Sequence, residues 1–372
     1  MKRDELKNSR RWVVKLGSSL LTNNGLGLKT ETLEVWVSQI MALREQGKEI
    51  VLVSSGAVAE GINRLKLQQR PNSLHELQAV AAVGQMGLIQ AYEYCFQKHN
   101  THTAQILITH DEISNRGKYL NARSTLRTLL SMGVVPIVNE NDTVATDEIR
   151  FGDNDTLAGL VSNLVDADVL ILLTDQSGLF DKDPSKHSDA KLITQAQAGD
   201  KTLENYAGDV GVFGRGGMLT KLRAAEIAAK SGTPTIIASG LEDNVITRLE
   251  HGEELGTLLD TKIGHVTARK QWLAGHARLA GDLVLDDGAI KVLKEGGRSL
   301  LAVGVINVNG NFRRGEIVRC LNAQGTEIAR GLINYNADET RKIMGQSSGN
   351  IESILGYVDE DELIHCDNLI IV

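Results

Sequence analysis

Cysteine is scarce in this chain: Cys95, Cys320 and Cys366 are the only three in 372 residues, scattered and without ligand-like spacing. Neither a disulfide framework nor a zinc site is expected from such a set, and a reducing compartment is the simplest setting. Positive charge is in deficit as well. Lys and Arg total 40 against 47 Asp and Glu, a formal charge of -7, which argues against nucleic acid as the main partner. No apolar run approaches the roughly 18 residues of a membrane span, and the opening Met1-Lys-Arg-Asp-Glu-Leu-Lys is too charged to lead a signal peptide. A cytoplasmic protein with no membrane partner is expected. Internal repeats and low-complexity tracts are lacking too. With 42% hydrophobic and 23% charged residues, the composition is that of a folded globular chain. At about 150 residues per domain, its length implies two domains or one large domain with an appendage.

Standard phosphate-binding signatures are also missing. There is no Gly-x-x-x-x-Gly-Lys-[Ser/Thr], and no Gly-x-Gly-x-x-Gly follows the first strand-like run, so any phosphate site is built differently. What the chain does have is alternation. Apolar, β-branched runs at Trp12–Leu16, Glu49–Ser54, Thr103–Thr109, Val134–Val138, Val169–Leu173 and Thr235–Ala238 read as buried strands, of the kind a mainly parallel sheet covered on both faces requires. Between the first two, Leu33, Trp36, Val37, Ile40 and Leu43 repeat at helical spacing and Gly47 stops the helix. The texture changes after about Thr261. Later runs, Asp282–Leu285, Gly315–Leu321 and Thr326–Ile333, read as shorter strands, the last two joined by an Asn322-Ala-Gln-Gly hairpin connection. The expected fold is a three-layer α/β/α sandwich with a mainly parallel sheet over residues 1–262, a linker over 263–280, and a small β-rich barrel or roll over 281–372.

Chemistry-bearing residues fall at the strand ends. Lys15 lies in an apolar strand and precedes Gly17-Ser-Ser, a turn whose backbone N–H groups suit an anion, although the lysine could instead snorkel or pair with a carboxylate. Ser54-Ser55-Gly56 closes the next strand and could equally be an ordinary helix cap. Glu140, Asp142, Asp153 and Asp155 crowd one region, interleaved with Asn139, Asn141 and Asn154 ahead of a helix expected from about Thr156. Such a mixture suits a small zwitterionic ligand or a metal–phosphate complex, against the alternative of a solvated acidic loop. Thr174-Asp175 ends another strand. The sharpest local signal is Gly211-Val-Phe-Gly-Arg-Gly-Gly-Met-Leu-Thr-Lys221, in which glycines run into a helix carrying a lysine in its first turns. Free backbone donors, a positive helix end and an ammonium converge there on one anion.

In this order, Val14-Lys-Leu-Gly-Ser-Ser, Ser54-Ser-Gly-Ala, Ala81-Ala-Val-Gly-Gln, Leu120-Asn-Ala-Arg, Pro136-Ile-Val-Asn-Glu-Asn-Asp, Gly152-Asp-Asn-Asp, Leu173-Thr-Asp and Gly216-Gly-Met-Leu-Thr-Lys resemble the amino-acid kinase family. Nearly the whole chain takes part, because the C-terminal segment is similar to a PUA domain. The resemblance implies ATP-dependent phosphorylation of the γ-carboxylate of L-glutamate to γ-glutamyl phosphate, the first step of proline synthesis, with Mg²⁺ on the nucleotide. It implies that Lys15 and Lys221 clamp the transferring phosphoryl group and that Asp155 orients them. Ser55, Asp142, Asp153 and Asn154 would hold glutamate. Lys15, Thr174, Asp175 and the segment Arg215, Gly216, Gly217, Met218, Leu219, Thr220 and Lys221 would face ATP. Arg215 departs from the family pattern, in which a small residue precedes the two glycines. A homo-oligomer (dimer or tetramer), feedback inhibition by proline and hand-over to a separate γ-glutamyl phosphate reductase are implied in the same way. Kinases of acetylglutamate, aspartate, carbamate or UMP share the lysines and glycine turns. An RNA-binding PUA protein is the reading from another class. Against it, residues 280–372 hold nine Lys or Arg and fourteen Asp or Glu, the wrong sign for tracking phosphates.

Overall fold

The apolar runs become the central strands of an eight-stranded sheet in a computed structural model, which describes residues 2–22, 27–145, 154–207, 217–261 and 279–372. The strands are β1 (Arg11–Leu16), β2 (Glu49–Val53), β3 (Thr103–Ile108), β4 (Val135–Glu140), β5 (Val169–Thr174), β6 (Gln195–Gln197), β7 (Thr235–Ser239) and β8 (Thr257–Asp260), in the order β3-β4-β2-β1-β5-β7-β8-β6. Every pairing from β3 across to β7 is parallel, and β8 joins β7 antiparallel. Continuous apolar sequence is what strands covered on both faces need, and β4 and β5 are buried at every residue. β3 differs. It is the edge strand, and only Ile108 of its six residues is fully buried, so its apolar run is half exposed.

The helix Thr30–Glu45 buries Leu33, Trp36, Val37, Ile40 and Leu43 against the sheet core with Trp12, Val14 and Leu52. Gly47 follows it at φ +85°, a conformation in which a side chain would be strained. Short β6 and β8 carried no clear apolar signal, since three and four side chains give no readable period.

The chain divides into two compact units, Met1–Glu112 with Arg123–Ala268, and Ile113–Ala122 with Arg269–Val372. The second thus takes in a short segment that lies within the span read as catalytic. Its sheet has the order β10-β9-β11-β12-β13, formed by β9 (Leu279–Leu285), β10 (Val305–Gly310), β11 (Ile317–Leu321), β12 (Glu327–Leu332) and β13 (Leu369–Ile371). β11 and β12 form the expected antiparallel hairpin. Leu283, Val318, Cys320, Ile333, Tyr335 and Leu363 lie in its core, while Leu120 clusters separately with Ile317, Leu332 and Ile370. All three cysteines are free thiols. Among the described residues no helix is long and apolar enough to cross a membrane.

Candidate active site

Parallel pairing of β4, β2, β1 and β5 puts their carboxyl ends on one edge of the sheet, where ligand sites of open α/β sheets form. Lys15 is the penultimate residue of β1, Ser54 follows β2, Asn139 and Glu140 end β4, and Thr174 ends β5. Gly17 N–H donates to Leu173 O at 3.1 Å, and a Cβ on Gly17 would lie 3.1 Å from the same oxygen. That glycine therefore seats the turn against β5, and any anion must use the amides after it.

The helix Asn154–Val165 begins two residues earlier than expected, which places Asn154 and Asp155 in its first turn and not in an acidic loop. A carboxylate is favoured at that end of a helix. Asp155 Oδ1 accepts a hydrogen bond from Lys15 Nζ at 2.5 Å. Its Oδ2 accepts from Lys221 Nζ at 3.1 Å and from Thr220 Oγ1 at 2.7 Å. Lys15, Asp155 and Lys221 are 6%, 1% and 5% exposed, so snorkelling is excluded and the lysine pairs with a carboxylate. Burial pushes the Asp155 carboxyl up, but the two ammoniums beside it outweigh burial and hold it well below the usual carboxylate range.

Close packing builds this geometry. The helix Met218–Ala229, which carries Thr220 and Lys221, lies against Asn154–Val165 at Gly159, where a Cβ would meet Ala224 O at 2.6 Å. Arg123 of the Leu-Asn-Ala-Arg motif secures the far end, donating to Leu164 O at 2.9 Å and pairing with Asp166. A cation is favoured at a helix C-terminus.

Beside the charged trio lies an amide pocket. Asn154 Nδ2 donates to Ser54 O at 2.5 Å, Asn139 Oδ1 at 2.8 Å and Ser55 Oγ at 3.1 Å. Neither serine caps the following helix Ala57–Arg64: Gly56 takes the cap position at φ +103°, and Ser54 Oγ bonds to Tyr92 Oη at 2.8 Å. Asp142 lies in the turn after β4, half-buried, and burial pushes its carboxyl up to about 7.

The structure thus brings together Lys15, Asp155 and Lys221, and separately Ser55 and Asn154. Thr220, expected to face ATP, has its hydroxyl 2.7 Å from Asp155 Oδ2 and 2.8 Å from Gly217 O. Thr174 donates to Asp175 Oδ1 at 3.0 Å, on a strand whose Leu173 lies opposite Leu16 of β1. Gly217, Met218 and Leu219 open the helix of Lys221, Gly217 at the cap position with φ −75°. Asp153, Arg215 and Gly216, the glycines from Gly211 and most of the proposed linker lie outside the described residues. Asn139 was not singled out as a site residue. Its signal was an amide at the end of a wholly apolar strand, a costly place unless it is hydrogen-bonded.

Residues 10–239 match the model of the amino acid kinase family, and residues 281–355 that of the PUA domain. The chain is 61% identical over 368 residues to the glutamate 5-kinase of Nitrosospira multiformis, covering 99% of each. It is 60% identical over 371 residues to that of Hahella chejuensis, covering 100% of this chain and 96% of the relative. Among solved structures, a UMP kinase from Bacillus anthracis aligns with 68% of this chain and 97% of its own at TM-score 0.47 and 17% identity.

Proposed function

The chain belongs to the amino acid kinase family, in its glutamate 5-kinase branch, and from that premise we propose how its residues carry out the reaction. The activity is ATP-dependent phosphorylation of the γ-carboxylate of L-glutamate, the entry to proline synthesis. The observation that carries the mechanism is the buried trio of Lys15, Asp155 and Lys221, two cations around one carboxylate.

The acceptor is already ionised near neutral pH, so no general base is needed to activate it. What opposes reaction is the approach of a carboxylate to a polyanion. Two ammoniums held in a water-poor site offset that repulsion as charge moves along the transferring phosphoryl group. Asp155 is the positioning residue that fixes both. Its oxygens are engaged by Lys15, Lys221 and Thr220, so Mg²⁺ would be held chiefly by nucleotide phosphate oxygens, where it neutralises charge. Thr174, Asp175 and the segment Arg215–Lys221 take the nucleotide side, and Ser55, Asp142, Asp153 and Asn154 the amino-acid side. A cytoplasmic homo-oligomer that passes a labile acyl phosphate to a separate reductase completes the reading.

Two results test the amino-acid side. Asp142→Ala and Asn154→Ala should raise KM for glutamate by about tenfold or more and leave KM for ATP within about twofold. Equal effects on both substrates would contradict the assignment. The pH profile gives an independent reading. A carboxyl raised to about 7 is neutral below that pH and cannot pair with the substrate ammonium. Accordingly kcat/KM for glutamate should climb about tenfold per pH unit up to about 7 and then level off, since this ratio reports the free enzyme. In Asp142→Asn that break should vanish.

Proline shares glutamate's α-carboxylate and amino nitrogen but has no acceptor carboxylate. It should therefore compete at the Asp142 and Asn154 pocket, so that saturating glutamate relieves inhibition. Inhibition that is insensitive to glutamate in initial-rate titrations would place proline elsewhere.

A further inference from the structure

Gln85 lies on the helix Leu74–Gln97, 9% exposed, and the mechanism above gives it no task. Its Oε1 accepts from Asn139 Nδ2 at 2.7 Å, while Asn139 Oδ1 accepts from Asn154 Nδ2 at 2.8 Å. The three side-chain amides form a relay whose direction is set by backbone groups. Glu140 N–H can only donate, so the Asn139 atom it meets at 2.9 Å is the oxygen. Ser54 O can only accept, so the Asn154 atom at 2.5 Å is the nitrogen. Asn139 must then turn its nitrogen to Gln85, and Gln85 must answer with oxygen.

One end of Gln85 is left over. Its Nε2 is enclosed with no hydrogen-bond partner among the described residues. A glutamine kept for packing alone would be costly there, since an apolar residue of the same shape leaves no orphan donor. The fold uses the oxygen end. Its helix is also seated closely: a Cβ on neighbouring Gly84 would fall 1.8 Å from Ala57 O of the helix Ala57–Arg64, so the backbone that carries Gln85 has little room to shift against that helix.

We propose that Gln85 is a positioning residue that sets acceptor selectivity, acting through Asn139 to hold Asn154 with its carbonyl oxygen turned to the α-ammonium of the amino-acid substrate. The proposal rests on the glutamate reading of the pocket. With Nδ2 of Asn154 committed to the protein, its Oδ1 points away on the other side of the amide, an acceptor for a cation. Without the Gln85 oxygen, Asn139 Nδ2 is enclosed without a partner in a residue only 2% exposed. The Asn139 side chain then gains by rotating off the relay, and Asn154 loses one of its restraints.

The test compares L-glutamate with glutarate, which keeps both carboxylates and lacks the amine, as acceptors for the full-length enzyme. Gln85→Met and Gln85→Ala remove the acceptor in two steric ways, so a folding failure of one leaves the other. Gln85→Glu keeps an oxygen for Asn139. The expected result is a drop of about tenfold in the ratio of kcat/KM for glutamate to that for glutarate in the first two variants. KM for ATP should stay within about twofold, and Gln85→Glu should keep most of the discrimination. An unchanged ratio, including equal loss with both acceptors, overturns the proposal and makes Gln85 structural. A wild-type enzyme that fails to phosphorylate L-glutamate at all would instead overturn the proposed function.

Discussion

Lys15→Ala and Lys221→Ala should each lower kcat by about a hundredfold or more in a protein that still folds. The physical reason is the timing of charge. In the proposed mechanism both ammoniums face a site in which negative charge shifts from the γ-phosphoryl group toward the leaving diphosphate, and they act where burial limits screening by water. Removing one leaves Asp155 with a single ammonium beside the Thr220 hydroxyl, and the phosphoryl group with a single cation. Lys221 lies in the first turn of the helix that Gly217 opens, on the proposed nucleotide side, so its loss should also raise KM for ATP, whereas loss of Lys15 should act mainly on kcat. Steady-state kinetics on variants whose thermal unfolding is cooperative checks this. Unchanged kcat in both would assign the lysines to structure alone.

Asp155→Asn should be the more damaging change, because it keeps the shape and removes the charge that binds both lysines. Two buried ammoniums would then face each other across an amide. Breaking a buried ion pair from one side costs about 3–5 kcal/mol, and kcat should fall on the order of a thousandfold as both clamps drift. Linkage gives a signature of its own. The folded carboxyl lies below its unfolded value, so its stabilisation is present above about pH 4 and is lost as pH falls toward the folded pKa. Denaturant titrations should show that acid limb in the wild type and a weaker one in Asp155→Asn. An equal pH dependence in the two proteins would mean that the carboxylate is not stabilised by the lysines.

The sheet was legible because burial on both faces demands continuous apolar sequence, and β1, β2, β4, β5 and β7 all obey. β3 was misread as buried, since position at the sheet edge leaves no mark on composition. Lys15 was legible for the opposite reason, a charge inside an apolar strand that must have a partner. Which partner was not, because Asp155 reaches it across 140 positions of chain, and the close packing at Gly159 that brings the helix of Lys221 to the same carboxylate leaves no spacing to read. Thr220 was expected to face ATP by its place in a motif, and the motif does not disclose that its hydroxyl also lies 2.7 Å from Asp155 Oδ2. The amide relay was the least visible part. Gln85, Asn139 and Asn154 come from a helix, a strand end and a helix start, and no spacing rule links them. Motifs marked the place, but hydrogen-bond direction appears only when backbone donors and acceptors are put beside the side chains.

The most direct test is ADP release from ATP by the purified full-length chain, with L-glutamate, N-acetylglutamate, L-aspartate and UMP offered separately as acceptors. L-glutamate should give the highest kcat/KM, with the other three well below it. Turnover of any other acceptor at or above the rate with L-glutamate would contradict the account.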